Sequence, residues 1–381
     1  FALATVLTLG PRFNLRRDIN NIVSLSGRYL VWPQSTLGRL QAFLVRRCVD
    51  APAWAGAASL APAAFLERHG AWNGPYDDSS LFYYLDEFVK LNGKDLLSTF
   101  QATVEACDRR LGDQPVRLVR NIGMLARVLD LGGTERAVLL HAALCKYQRE
   151  LRPVLVDCKA TSAQEAYAML AQVLGCDAGE AATCLRVGGR LESLGLIDTP
   201  IAEHAITDLG DLMRVSDKLL AVLTADYDSE AAMMSAFTRP AGASDLSGAD
   251  FPHVEADARY LTALLKAASD GRERGVNVLI YGPPGTGKTE FAKVLARQAG
   301  CELYTVDCLD REGNSLSGKE RYRSLQVSQA FLRGRAATAI LFDEVEDVFP
   351  PFHEKATQAF GFDDPRGPAV NGKAWVNQTL E

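Results

Sequence analysis

Apolar positions recur at three- and four-residue spacing through most of the first 240 residues, the mark of helices with one buried face. After Gly275 the texture changes to short, nearly continuous apolar runs, as buried strands give. In the helical part, Leu37-Gly38-Arg39, Pro52, Pro62 and Asn73-Gly74-Pro75 interrupt the pattern. Ser79 or Ser80 can then cap a helix carrying Leu81, Tyr84, Leu85 and Phe88, and a second helix is predicted over 95–110. Thr134 caps a helix with Ala137, Leu140 and Leu144 on its apolar face. Ser162 with Glu165 three residues on opens another in the capping-box pattern, running through Ala166, Met169, Leu170 and Val173 to a stop at Gly175. A tight turn leads into a helix over 179–193, Gly195 ends it, and Leu196-Ile197 read as a short strand. Helical spacing returns over 208–237, the composition of 239–247 is that of a linker, and 254–268 is helical again.

Helix, helix, tight turn, helix and strand over 133–198 resemble the winged helix-turn-helix fold. Reading DNA is the usual work of that fold, but charge argues against it here. The segment has net charge −1, and its candidate recognition helix offers Arg186 and Arg190 with Gly188 and Gly189 between them. A duplex binder needs several phosphate contacts. A protein-contact or packing role is favoured.

Composition excludes other classes. With 48% hydrophobic and 23% charged residues the chain is neither disordered nor collagen-like nor a coiled coil. A net charge of −6 gives no global field for nucleic-acid phosphates. No apolar run reaches the roughly 18 residues of a membrane span. The start, FALATVLTLG, lacks a basic leader, and a first residue Phe1 in place of Met predicts that an upstream piece is missing. Eight cysteines, none spaced C-x-x-C, read as reduced core thiols of a cytoplasmic protein rather than as a disulfide framework or metal box.

The chemistry lies after Gly275. Val276-Asn277-Val278-Leu279-Ile280-Tyr281 reads as a strand running into Gly282-Pro283-Pro284-Gly285-Thr286-Gly287-Lys288-Thr289 and then a helix, EFAKVLARQAG. This is G-x-x-x-x-G-K-S/T in its strand–loop–helix setting. Gly282, Gly285 and Gly287 let the backbone N–H groups turn inward at phosphate oxygens, and the helix N-terminus adds its dipole. Lys288 supplies a mobile charge for the β- and γ-phosphates, and the Thr289 hydroxyl a magnesium ligand. Glu290 reads as a first-turn acid bordering the nucleotide rather than as a catalyst. A second apolar run, 337–342, ends in Asp343-Glu344. At a strand's C-terminal end, Asp343 can hold Mg²⁺ and Glu344 can activate water. Between the motifs, 302–307 reads as a strand, and Ser317 with Glu320 opens a helix that continues through Phe331. The fold class is therefore α/β: a three-layer parallel sheet with right-handed crossovers behind a mostly helical region. The predicted domains are 1–115, 116–238 and 251–381, with 239–250 as linker.

GPPGTGKT after its strand, the FAKVLA helix and ILFDE some 50 residues later resemble the AAA+ ATPase superfamily, close to its central AAA subgroup, over 250–381. The resemblance implies a Mg²⁺- and ATP-dependent homo-oligomeric motor, commonly a hexamer, that remodels, disassembles or unfolds a client, with a protein client or adaptor favoured over DNA. By the same resemblance Lys288 and Thr289 are the Walker A lysine and hydroxyl residue, and Asp343 and Glu344 the Walker B pair. Two departures matter. The stretch 308–319, where the family carries an aromatic pore loop, has Leu316 and Gly318 but no aromatic residue. The family's sensor asparagine, arginine finger and helical lid would follow the helix containing Trp375 and Val376, so weak nucleotide binding and slow turnover are expected of this chain alone. Glu346, Asp347 and the loop pair Asp363-Asp364 are not assigned roles. The rival readings are an ATP-dependent DNA-associated regulator working through 133–198 and a purely structural nucleotide site. The absence of an N-K-x-D sequence argues against GTP.

Overall fold

Serine and aspartate caps set many of the helix boundaries. A computed structural model of the chain describes residues 2–345 apart from 11–20, 24, 72–76, 112–115, 149, 187, 199–202, 213, 272–274 and 310–312. Within it, Ser162, Asp177, Ser216, Ser229 and Ser317 each accept a backbone N–H from the first turn of the helix they precede. The α-helices are α1 (Ala2–Leu9), α2 (Gln34–Arg47), α3 (Pro62–His69), α4 (Leu85–Leu111), α5 (Arg117–Val128), α6 (Gly133–Tyr147), α7 (Leu151–Val156), α8 (Ala163–Leu174), α9 (Ala178–Leu185), α10 (Arg190–Ser193), α11 (Asp217–Thr224), α12 (Glu230–Met234), α13 (Glu255–Ser269), α14 (Lys288–Ala299) and α15 (Gly318–Leu332). The strands are β1 (Thr238–Pro240), β2 (Glu302–Val306) and β3 (Thr338–Leu341). No helix among the described residues is long and apolar enough to cross a membrane.

Contacts divide the chain into two units. The first comprises 1–126, 131–192 and 197–215; the second comprises 127–130, 193–196 and 216–381. The first unit is helical. Its longest helix, α4, begins after a 3₁₀ turn capped by Ser80 and kinks at Asn92, which leaves the helical region at φ −137° and ψ 45°. The two predicted helices of this stretch are thus one kinked rod. It packs against α1 and α2 and buries Phe88, Leu96 and Phe100 completely.

Over 133–198 helices form, but among the described residues no wing strand does. Helix α6 starts one residue before Thr134: Glu135 takes the Gly132 N–H at 2.7 Å, while the Thr134 hydroxyl bonds Glu180. The predicted helix over 179–193 breaks at its glycine pair. Arg186 leaves the helix, the Gly189 N–H turns back to the Arg186 carbonyl, and Gly188 takes φ +73°. Leu196 and Ile197 are buried without pairing as a strand, and the only β pairing of this region among the described residues is a bridge between Lys159 and Asp208. The helical stretch predicted over 208–237 is likewise divided, into a 3₁₀ turn at Leu209–Leu212 and the serine-capped α11 and α12.

The second unit holds a three-stranded sheet in the order β1-β2-β3. β2 and β3 are parallel, with Glu302 opposite Thr338 and Thr305 opposite Leu341, and α15 connects them. β1 is antiparallel to β2, so the sheet is mixed rather than wholly parallel. The stretch expected to be a free linker is fastened to this unit. Thr238 to Pro240 form the edge strand, and the Arg297 guanidinium donates to the carbonyls of Ser244 at 2.9 Å and Leu246 at 2.5 Å. The predicted strand over 276–281 has no strand partner among the described residues. Leu279 and Tyr281 are 73% and 87% exposed, while Ile280 packs against the cluster of Phe251, Phe291, Val294 and Leu295 that joins α13 to α14. An extended segment becomes a strand only when a neighbour accepts and supplies its hydrogen bonds. Among the described residues β3, one of the sheet's two edge strands, pairs with β2 alone.

Candidate functional site

The loop at 282–287 owes its shape to backbone that side chains resist. Gly282, Gly285 and Gly287 have φ of +153°, +76° and +81°. Gly287 caps α14, and a β-carbon there would lie 3.6 Å from Phe251, an ordinary contact. The requirement for glycine at that position is therefore conformational and not steric. The Thr286 hydroxyl closes the turn on the Pro283 carbonyl at 2.9 Å. Pro283, Pro284 and Gly285 are exposed at its tip. The first-turn amides of α14 have no acceptor within their own helix, which is the general condition of a helix N-terminus and suits an anion. The helix itself is anchored by Phe291, whose ring centroid lies 5.1 Å from that of Phe251.

Lys288 folds over this loop. Its ammonium donates to the carbonyls of Gly282 at 3.1 Å and Pro283 at 3.0 Å, so its charge lies across the loop's own oxygens. Thr289 points the other way, and its hydroxyl donates to Asp343 Oδ2 at 2.7 Å. This contact joins two motifs that stand 54 residues apart. The other oxygen, Asp343 Oδ1, accepts the Glu344 N–H at 3.0 Å, and Glu344 is exposed with φ +50°. A hydroxyl and a carboxylate oxygen in contact are hard donors of the type that Mg²⁺ takes, and the loop amides with Lys288 suit phosphate oxygens. On the chemistry of these donors the residues fit a Mg²⁺–nucleoside triphosphate.

Glu290 behaves differently from the rest. Its carboxylate accepts the Lys293 ammonium at 2.7 Å, and this bond, followed by one from the Ser244 hydroxyl, holds its pKa below the ordinary 4.5. It is engaged along its own helix rather than toward Asp343 and Glu344. Glu346, Asp347, Asp363, Asp364, Trp375 and Val376 lie outside the described residues.

Motif reading misses Arg321. This α15 residue is 3% exposed, and its guanidinium donates to the carbonyl oxygens of both Asp343 and Glu344. Nothing in the sequence separates it from neighbouring Arg323, which bonds Glu320 of its own helix. Arg190, one of the two basic residues on the candidate recognition helix, is paired with Glu135 at 3.1 Å.

Residues 278–360 match the family model described as ATPase family associated with various cellular activities (AAA). Three relatives are each similar to part of the chain. The ATPase family gene 2 protein homolog B of Bos taurus is 36% identical over 93 residues, 24% of this chain and 12% of the relative. The peroxisomal ATPase PEX1 of Cricetulus griseus is 40% identical over 76 residues, 19% of this chain and 6% of the relative. Protein CdcH of Halobacterium salinarum is 37% identical over 82 residues, 21% of this chain and 10% of the relative. The chain thus spans about a tenth of the length of these relatives. No solved structure matches it significantly. The matches thus show similarity to AAA-type ATPases over a limited segment of the chain.

Proposed function

We propose that this protein binds Mg²⁺-ATP between the 282–289 loop and Asp343-Glu344, hydrolyses it, and uses the cycle to remodel a macromolecular client as a homo-oligomer. The observation that carries the reading is the 2.7 Å bond from the Thr289 hydroxyl to Asp343, since it brings the phosphate loop and the acid pair to one place. In this reading the loop amides and Lys288 bind the β- and γ-phosphates, which requires the ammonium to leave the Gly282 and Pro283 carbonyls. Thr289 and Asp343 would hold the metal, whose charge, when it is bound, offsets that developing on the phosphate oxygens. Glu344, exposed at the end of its turn, orients a water and takes its proton. Glu290 stiffens the first turn beside them. A protein client is favoured over DNA, because Arg190 is already paired and the 133–198 region carries no net positive charge.

The test is ATP turnover with and without Mg²⁺ by the full protein and by Glu344→Gln, with mass measured in ATP. The parent should hydrolyse ATP only with Mg²⁺ and assemble in its presence, while the variant should bind nucleotide and lose most turnover. A parent that binds ATP and never turns it over would leave a structural nucleotide site instead.

A further inference from the structure

Arg321 does not belong to either motif, yet it touches the backbone of both acids. Its Nη1 donates to the Glu344 carbonyl at 2.8 Å, its Nη2 donates to the Asp343 carbonyl, and its guanidinium carbon stands 5.1 Å from the Phe342 ring centroid. Three consecutive residues at the end of β3 are therefore gripped by one side chain. Burying a guanidinium is expensive, and carbonyl oxygens offer only partial charge in return. An apolar residue would fill the same place beside the Val306, Tyr322 and Leu325 cluster without that desolvation. What it would lack is the planar fork that holds two acceptors at a fixed separation.

The backbone at this point needs holding. Glu344 lies at φ +50°, a left-handed conformation that a side-chain-bearing residue adopts only at an energetic cost. Both flanking peptide groups are pinned, the N–H by Asp343 Oδ1 and the carbonyl by Arg321. Residues kept in such conformations persist where their surroundings over-determine them, and they cluster at working sites. Relaxation of this turn would swing the Asp343 carboxylate away from Thr289 and change where the Glu344 side chain points.

We infer that Arg321 is a positioning residue of the ATP site: from α15 it fixes the turn that presents Asp343 to Thr289 and Glu344 to the water. This rests on the hydrolytic reading above and deepens it. The test compares Arg321→Met, which keeps bulk and removes the donors, and Arg321→Lys, which cannot bridge both carbonyls, with the parent in the full protein. In nucleotide-free protein, loss of two hydrogen bonds should speed amide exchange in the peptide covering 339–345 by about tenfold or more in Arg321→Met, with Arg321→Lys between it and the parent. Turnover should fall roughly 10- to 100-fold, as a misplaced reacting group requires, while nucleotide affinity in EDTA stays within about threefold and the Mg²⁺ half-saturation rises.

Unchanged exchange and turnover would overturn the assignment. So would a joint loss of melting temperature, metal-free nucleotide affinity and turnover, the pattern of a residue that only supports the fold. If Arg321→Met does not fold, Arg321→Lys decides alone, and parent-like exchange and turnover in it refute the role. A parent that never hydrolyses ATP would defeat the hydrolytic reading and with it this role, even if the exchange result showed that Arg321 still braces the turn.

Discussion

Lys288→Met separates a lysine that serves phosphate from one that merely braces a loop. The substitution keeps the aliphatic stem and deletes the ammonium with its bonds to the Gly282 and Pro283 carbonyls at 3.1 and 3.0 Å. Both bonds are exposed, so water can take over at the two oxygens, and the cost to the nucleotide-free protein should be no more than about 1 kcal/mol. For a chain of this size that is a fall of about 2 °C or less in melting temperature. Nucleotide binding is affected differently. A charge-assisted bond to phosphate contributes about 1.5–3 kcal/mol, and part of it is already offset by the loop bonds that the ammonium must release. The expected loss in affinity is therefore roughly 10- to 100-fold. Calorimetric titration with Mg²⁺-ATP and a melting scan without ligand measure the two quantities on one sample. A variant that melts well below its parent yet binds ATP equally would refute the reasoning, because the loop carbonyls would then be the lysine's real partners.

Two further perturbations test the structure around the site. Phe291→Ala deletes a buried ring packed on Phe251 and should cost about 3–5 kcal/mol, seen as an earlier denaturant midpoint for the second unit; a loss under about 1 kcal/mol would mean that α14 is not anchored there. Stability should also fall in alkali, because burial pushes the Cys145 thiol from 9.0 up to about 12. The stabilisation is complete below pH 9 and is lost as pH rises toward 12, so the Cys145 contribution at pH 10 is smaller by about 1.4 kcal/mol. Cys145→Ala should flatten that slope in melting scans from pH 7 to 10, and an identical slope would exclude Cys145 as its source. On the acid side the sign reverses: burial lowers the His141 imidazole from 6.5, so its contribution is present above that value and is lost as pH falls below it.

The legible parts of this protein were those whose cause lies within a few residues. A serine or aspartate bonding the amide two or three places on is a local event, so Ser162 and Ser317 were found at their helix starts. A glycine-rich loop followed by lysine and threonine is also contiguous, and β3 announces its acids by running straight into them. What stayed hidden depends on neighbours that no local pattern names. The run 276–281 has strand composition, but pairing is the property of two segments, and no described segment is hydrogen-bonded beside it as a strand. Thr238-Arg239-Pro240 has the opposite character: its proline and surroundings read as linker, yet it pairs across 67 residues with β2. Proline is tolerated there because the strand lies at the sheet edge. Arg321 and Arg323 are two residues apart on α15, and both are buried. Their different partners follow from which side of α15 faces the end of β3, a fact set by tertiary packing alone. A site can therefore be found from its contiguous motif, while the group that holds its acids in place is found only once the helix has been docked.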